Sequence, residues 1–286
     1  MDTTTLFTAP SWSADPARCF DVWPSGLLPR DAHAHLADQI GHLDRLLGDY
    51  QPTRAIDRYL ASPVERLERL DRWATLVLLR EVGLLPLRVL PDRPDWSVPG
   101  HTKRVFTDLE HGALRAVSLA NPFDAVTVAL SEAGATGHDL HRIDPSWLTE
   151  PDTDQWLVDL PGDSRTHPRR IQLAAWSRPA LTQLLQQRPA SGALLYTGTA
   201  DDPEKRRSSM LMRLRKLVRY TGLDNDASVS PESLRHTGAR QTYDADPQGG
   251  LQAAANVLGL GDLDKVAHRL DLDRQEPSPV LIRWPR

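Results

Sequence analysis

The sequence holds a single cysteine, Cys19, in 286 residues. One thiol closes no internal disulfide, so stability has to come from packing, and the expectation is a protein of the reducing cytoplasm. Lysine is nearly as scarce: Lys103, Lys205, Lys216 and Lys265 are the only four, and arginine carries almost all the positive charge. Long apolar runs are missing too. The longest, "WATLVLL" at residues 73–79, falls well short of the ~20 residues that cross a bilayer, so no membrane partner is expected. The start, "MDTTTLFTAP", has neither a basic n-region nor an apolar core and does not read as a secretion signal. No glycine-rich phosphate loop, internal repeat or low-complexity tract occurs. Tyrosine is absent beyond Tyr243.

The charge that is present is unevenly placed. Net charge is −4, yet residues 165–219 hold 12 basic and 3 acidic side chains, a local +9 that leaves −13 for the rest. A basic middle on an acidic body can form a phosphate-binding face. For any single arginine in it, a solvated helix face is an equally good reading.

Residues 1–29 show no period and read as a loose arm. Residues 30–50 have helical apolar spacing. In "SPVERLERLDRWATLVLLREVG", Ser62 suits a cap, Pro63 the first helical position, Glu65 a capping box and Gly83 a stop. Residues 90–104 are proline-rich and aperiodic, which suits a linker. The expected division is a helical unit over 30–95, a second unit over 96–275 and a tail over 276–286. The second unit opens with helices at 107–119 and from 122. A hairpin follows, "QWLVDLPG" and "PRRIQLAA" flanking "DSRTH". Next come a helix at 178–188, a strand "ALLYTG" at 193–198, and a helix "SSMLMRLRKLVRYTG" stopped by Gly222. Leu211, Leu214, Leu217 and Val218 make the apolar face of that helix. Another helix is capped by Ser230 with Pro231 first, and two short ones lie on either side of Gly259.

Three segments stand out: "GATGHDL" at 134–140, "PESLRHTGA" at 231–239 and "LGLGDL" at 258–263. Their order, with the hairpin between the first and second, resembles the tyrosine recombinase (phage integrase) family over residues 30–275. The resemblance implies a mainly α fold with a small β-hairpin or sheet: a helical core-binding-like domain followed by a recombinase-like catalytic-type domain. It also implies a phosphodiester chemistry. A tyrosine attacks the phosphate, while two arginines, a hairpin lysine and one or two histidines stabilise charge and move protons. Most of that set is replaced. Thr136 stands at the first arginine, Glu232 at the histidine three residues before the second, and Leu260 at the histidine of the last segment. Arg269, beside His268, stands where the nucleophile is expected, and Arg165 is what the hairpin turn offers for lysine. Arg235 alone is kept, followed by His236.

Losing one charge-stabilising donor costs about 10²–10³ in rate, so an enzyme of the usual kind is not expected. Tyr243, on the Arg235 helix, is the one substitute nucleophile to consider. The main reading is a catalytically degenerate, double-stranded-DNA-binding protein acting as a regulator, architectural factor or accessory subunit. Its DNA contacts would be Arg165, Arg169, Arg170, Lys205, Arg206, Arg207, Arg213, Lys216 and Arg235. The other reading is the same fold turned into a protein-interaction module, self-association included, or a small-molecule enzyme. Arg235 then pairs internally with Glu232, one turn away. No cofactor and no metal are expected. His33-x-His35 opens a helix rather than ending a strand, and His138 with His141 has no third ligand nearby.

Overall fold

The computed structural model describes residues 22–62, 65–85, 90–96, 103–150, 155–187, 192–196, 198–199, 201–246, 249–270 and 272. Most of the predicted arm, with Cys19, lies outside them, as do Pro63, part of the linker and the whole 276–286 tail.

The fold is mainly helical with one small sheet. The described helices are α1 (Arg30–Asp49), α2 (Pro52–Ala61), α3 (Arg66–Glu81), α4 (Asp108–Ser118), α5 (Pro122–Glu132), α6 (Gly137–Leu140), α7 (Arg178–Gln187), α8 (Pro203–Tyr220), α9 (Pro231–Ala245), α10 (Gly250–Leu258) and α11 (Leu263–Arg269). The strands β1 (Leu148–Thr149), β2 (Leu157–Leu160) and β3 (Arg169–Gln172) form an antiparallel sheet in the order β1-β2-β3. Cross-strand pairs alternate in character: Val158 faces Ile171 in the core, and Asp159 faces Arg170 in solvent.

Local chemistry explains most boundaries. Thr107 and Glu110 close a capping box on α4, and Asn121 caps α5 ahead of Pro122. Ser230 caps α9, its hydroxyl accepting from Glu232 N while Ser233 Oγ accepts from Ser230 N. Three expectations need correction. Ser62 does not start α3; it ends α2, its hydroxyl donating back to Arg58 O at 2.9 Å. Glu65 is then the cap residue of α3, with no side-chain cap bond. The stretch 193–196 is not a strand. Leu194 and Leu195 are both buried, and the segment is tied by Leu194 N to Ile143 O at 2.7 Å. On α8 the buried face is Met210, Leu214, Leu217 and Val218, with Leu211 only half-buried.

One apolar cluster runs from Leu27 to Leu234, and a smaller one joins Ala239, Ala254, Ala255, Leu258, Val266 and Leu270. The described ends of the expected linker are tied down by charge: Arg104 donates to Glu110 and Asp226, and Arg93 lies 3.7 Å from Glu110. A second buried network centres on Glu132. It accepts from Arg115 Nε and Trp176 Nε1 and bonds the His111 ring at 2.7 Å. Although burial opposes its charge, Arg115 and His111 hold Glu132 down at about 2.

Candidate nucleic-acid interface

The segment after α5 turns at Gly134, whose φ of +112° favours glycine and whose absent Cβ leaves room for the Val257 carbonyl. Thr136 then caps α6. Its hydroxyl accepts from Asp139 N at 3.1 Å, and the Asp139 carboxylate accepts from Thr136 N at 2.9 Å. The side chain that this segment contributes to the site is therefore Asp139, not Thr136. Asp139 is fully buried and lies 3.2 Å from Arg169 Nη2.

Arg235 projects from the first turns of α9. Its Nε donates to Gly134 O and its Nη2 to Leu258 O, both at 3.0 Å. It thereby joins the first and last of the three sequence segments. The hairpin completes the junction. Arg169 Nη2 donates to Gly134 O at 2.7 Å, and His167 N donates to Gly259 O at 2.9 Å. Gly259, at φ +64°, ends α10 where a Cβ would lie 3.0 Å from Arg169 Nη1. Leu260 packs half-buried against the smaller core.

The electrostatics of this junction are unbalanced. Arg235 is 6% exposed, and among the described residues no carboxylate lies within ion-pair distance of it. Glu232, its expected internal partner, is exposed and unpaired with it; the guanidinium is held by carbonyl oxygens instead. Burial, and then the neighbouring Arg169, pull its pKa down to about 10, with Arg269 adding to the effect. Burial takes His236 down to about 4. Among the described residues neither ring nitrogen has a hydrogen-bond partner, and the nearby Lys103 backbone only partly opposes the shift. Arg169 Nε is likewise buried with no partner. Arg269 thus brings a third positive field to the place where the resemblance puts a nucleophile.

The other basic residues fall in different places. Arg165 is exposed on the hairpin turn, which Asp163 Oδ1 holds by accepting from Arg165 N and Thr166 N. Arg170 points to the opposite face of β3 from Arg169 and makes two bonds to Asp159 at 2.7 and 2.8 Å. On α8, Lys205 is exposed, Arg206 lies 3.7 Å from Asp201, and Arg207 lies 3.3 Å from Glu204 beside Gly137. Arg213 pairs with Asp124, and Lys216 sits over the Tyr220 ring. These last two line a separate cavity of about 860 Å³ with Arg80, Tyr196 and Tyr220. Among the described residues, five of the nine cations expected to contact DNA thus have carboxylate partners, and three of those partners (Asp124, Asp139, Asp159) come from outside the basic stretch.

Tyr243 lies eight residues beyond Arg235 on α9, an axial rise of about 12 Å, and packs on the smaller core. His35 bonds Asp71 at 3.0 Å. Among the described residues no three His, Cys, Asp or Glu side chains gather as metal ligands, and no helix is long and apolar enough to cross a membrane.

No family model matches the chain, and no curated protein does. Among solved structures it is similar to XerA recombinase, at 16% identity and a TM-score of 0.48, over 81% of this chain and 86% of that one. It is similar to the XerH site-specific recombinase bound to palindromic difH substrate, at 12% identity and a TM-score of 0.46, over 91% and 90%. A lambda integrase (75–356) dimer bound to a COC' core site gives 14% identity and a TM-score of 0.44, over 92% and 93%.

Proposed function

We propose that this chain is a DNA-binding protein laid out like a tyrosine recombinase, which holds duplex DNA by its phosphates and does not cut it. The observation that carries the reading is Arg235: a buried guanidinium joining the Gly134 and Leu258 carbonyls beside Arg169, with no carboxylate in ion-pair range among the described residues. A buried cation held only by neutral acceptors is incompletely compensated, and a phosphate oxygen would supply the missing charge. The N-terminus of α9 adds its partial positive charge on the same side.

The residues around it favour binding over cleavage. Asp139 places a negative charge where transition-state stabilisation calls for a positive one, and Leu260 offers no proton. Arg269 is a cation and not a nucleophile, so no phosphotyrosine link can form there. The remaining contacts would come from Arg165 and Lys205, both exposed, and from Arg206 and Arg207, whose surface ion pairs are worth roughly 0–1 kcal/mol each and yield readily to a phosphate. We read the role as that of a cytoplasmic regulator, architectural factor or accessory subunit, with the helical 30–95 unit docked against the 96–275 unit.

The reading without DNA draws on the five paired arginines and on the 860 Å³ cavity, which is large enough for a small molecule. Fluorescence anisotropy of a labelled duplex separates the two. With Lys216 moved from the expected DNA contacts to that cavity, the DNA reading expects binding that weakens at least tenfold in Arg235→Gln and is unchanged in Lys216→Ala. Duplex affinity indifferent to Arg235 would end it.

A further inference from the structure

His138 and His141 stand one helical turn apart, a spacing that in isolation suits a metal. Their surroundings suit the opposite charge. The two rings meet edge to face at 5.0 Å and line a cavity of about 440 Å³ together with Arg142, Arg206, Ala193 and Pro203. Among the described residues no carboxylate lines that space. A divalent cation there would face two guanidinium groups and no anionic ligand, whereas an anion would face two fixed charges and two rings able to donate.

We propose that this cavity is a phosphate-binding subsite, in which Arg142 and Arg206 hold a phosphate group and His138 and His141 donate hydrogen bonds to it. Arg142 is already oriented: its Nε donates to His138 O at 3.1 Å and its Nη2 to Gly162 O at 3.3 Å, leaving Nη1 with no protein partner among the described residues. Arg206 is positioned over the Tyr196 ring at 5.3 Å, and its partner Asp201, at 3.7 Å, is fully exposed and easily displaced. The subsite adjoins the Arg235 junction, because Asp139 is approached by Arg169 at 3.2 Å and by Arg142 at 3.8 Å. One backbone could therefore place neighbouring phosphates in both. Only this choice of source, the duplex over free phosphate, rests on the DNA-binding reading.

Binding should be linked to protons. The groups facing His141 are His138 and Arg142 from its own segment and Arg206 from α8. Asp163 of the hairpin turn faces His138, Asp201 pairs with Arg206, and Asp139 lies under Arg142. Burial lowers the His141 pKa, and the cations around it act in the same direction against its bond to Gly137 O. A bound dianion reverses those charges and draws a proton onto the ring, so affinity rises as pH falls.

The test is histidine-ring NMR of the full chain, assigned with His138→Asn and His141→Asn. It is titrated in turn with sodium sulfate, inorganic phosphate and a 30-base-pair duplex. Sulfate keeps its charge over pH 6–8, so any pH dependence belongs to the protein. Millimolar sulfate should shift both rings, more tightly at pH 6 than at pH 8. Its affinity should fall about tenfold in Arg142→Gln or Arg206→Gln, with thermal melting confirming that each variant folds. If the duplex shifts the same rings, the phosphate comes from DNA; if inorganic phosphate does and the duplex does not, the subsite stands with a free ligand. A duplex that binds while both rings stay silent to every anion overturns the subsite and leaves the DNA reading intact. Zinc that shifts the rings where sulfate does not also overturns it.

Discussion

Arg169 and Arg235 donate to one oxygen, the carbonyl of Gly134, at 2.7 and 3.0 Å. Two guanidinium groups on one neutral acceptor repel each other, and Asp139 relieves this only in part, since its carboxylate reaches Arg169 and Arg142 but not Arg235. The first prediction follows from that imbalance. Asp139→Asn should destabilise the fold by about 3 kcal/mol, because it leaves Arg169 buried without its counter-charge. The same change should tighten duplex binding several-fold. Urea unfolding and anisotropy on one preparation check both signs, and a variant that loses stability and DNA affinity together would argue against an anion site.

A second prediction concerns acid. His236 is neutral when folded, its pKa lowered from 6.5 to about 4 by burial. Between those values the unfolded chain binds more protons than the folded one, so stability falls as pH drops from 6.5 to 4, by about 3 kcal/mol in all. Glu132, held at about 2 when folded, adds a further loss only below its ordinary value of 4.5. Stability curves at pH 7, 5.5 and 4.5 read the first window, and His236→Leu should flatten it.

The third prediction concerns the network around Glu132. Glu132→Gln removes the counter-charge of buried Arg115 and should cost about 3–5 kcal/mol. Removing Arg115 as well, in a Glu132→Gln, Arg115→Met pair, should recover part of that loss. A double variant as unstable as the sum of two singles would show that the charges do not act as a pair.

How much of the fold is legible in the sequence depends on the distance over which each feature is set. Helix ends marked by a residue and its near neighbours could be read directly, as at Ser230 with Pro231, while the capping box of Thr107 and Glu110 went unread inside the helix expected over 107–119. Ser62 misled because a serine can close one helix as readily as open the next, and α2 has no strong signature in "PTRAIDRYLA". Leu194 and Leu195 suggested a strand, but two adjacent residues both buried mean a segment threaded through the core. At the site, the junction of the three segments followed from their order, while the choice of Asp139 over Thr136 depended on which way a single turn of helix points. The pairing of Arg213 with Asp124 and of Arg170 with Asp159 was beyond any local charge count, since each partner arrives through the tertiary fold.

That pairing yields a fourth prediction. If the hairpin and the start of α8 contact the duplex, log affinity should fall with log salt at a slope of about −0.9 per phosphate neutralised. Arg206→Ala with Arg207→Ala should flatten the slope by about one to two units. Glu204→Gln, which releases Arg207 from its partner, should raise affinity instead. A slope unmoved by either change would remove α8 from the interface.

The claim that this protein grips DNA without cutting it meets its most direct test in a labelled duplex carrying a nick, incubated with the protein and divided between a native and a denaturing gel. A retarded complex is expected on the native gel and free DNA alone on the denaturing one, with Tyr243→Phe behaving as the wild type does. A labelled protein–DNA adduct that survives denaturation, and disappears in Tyr243→Phe, would contradict it.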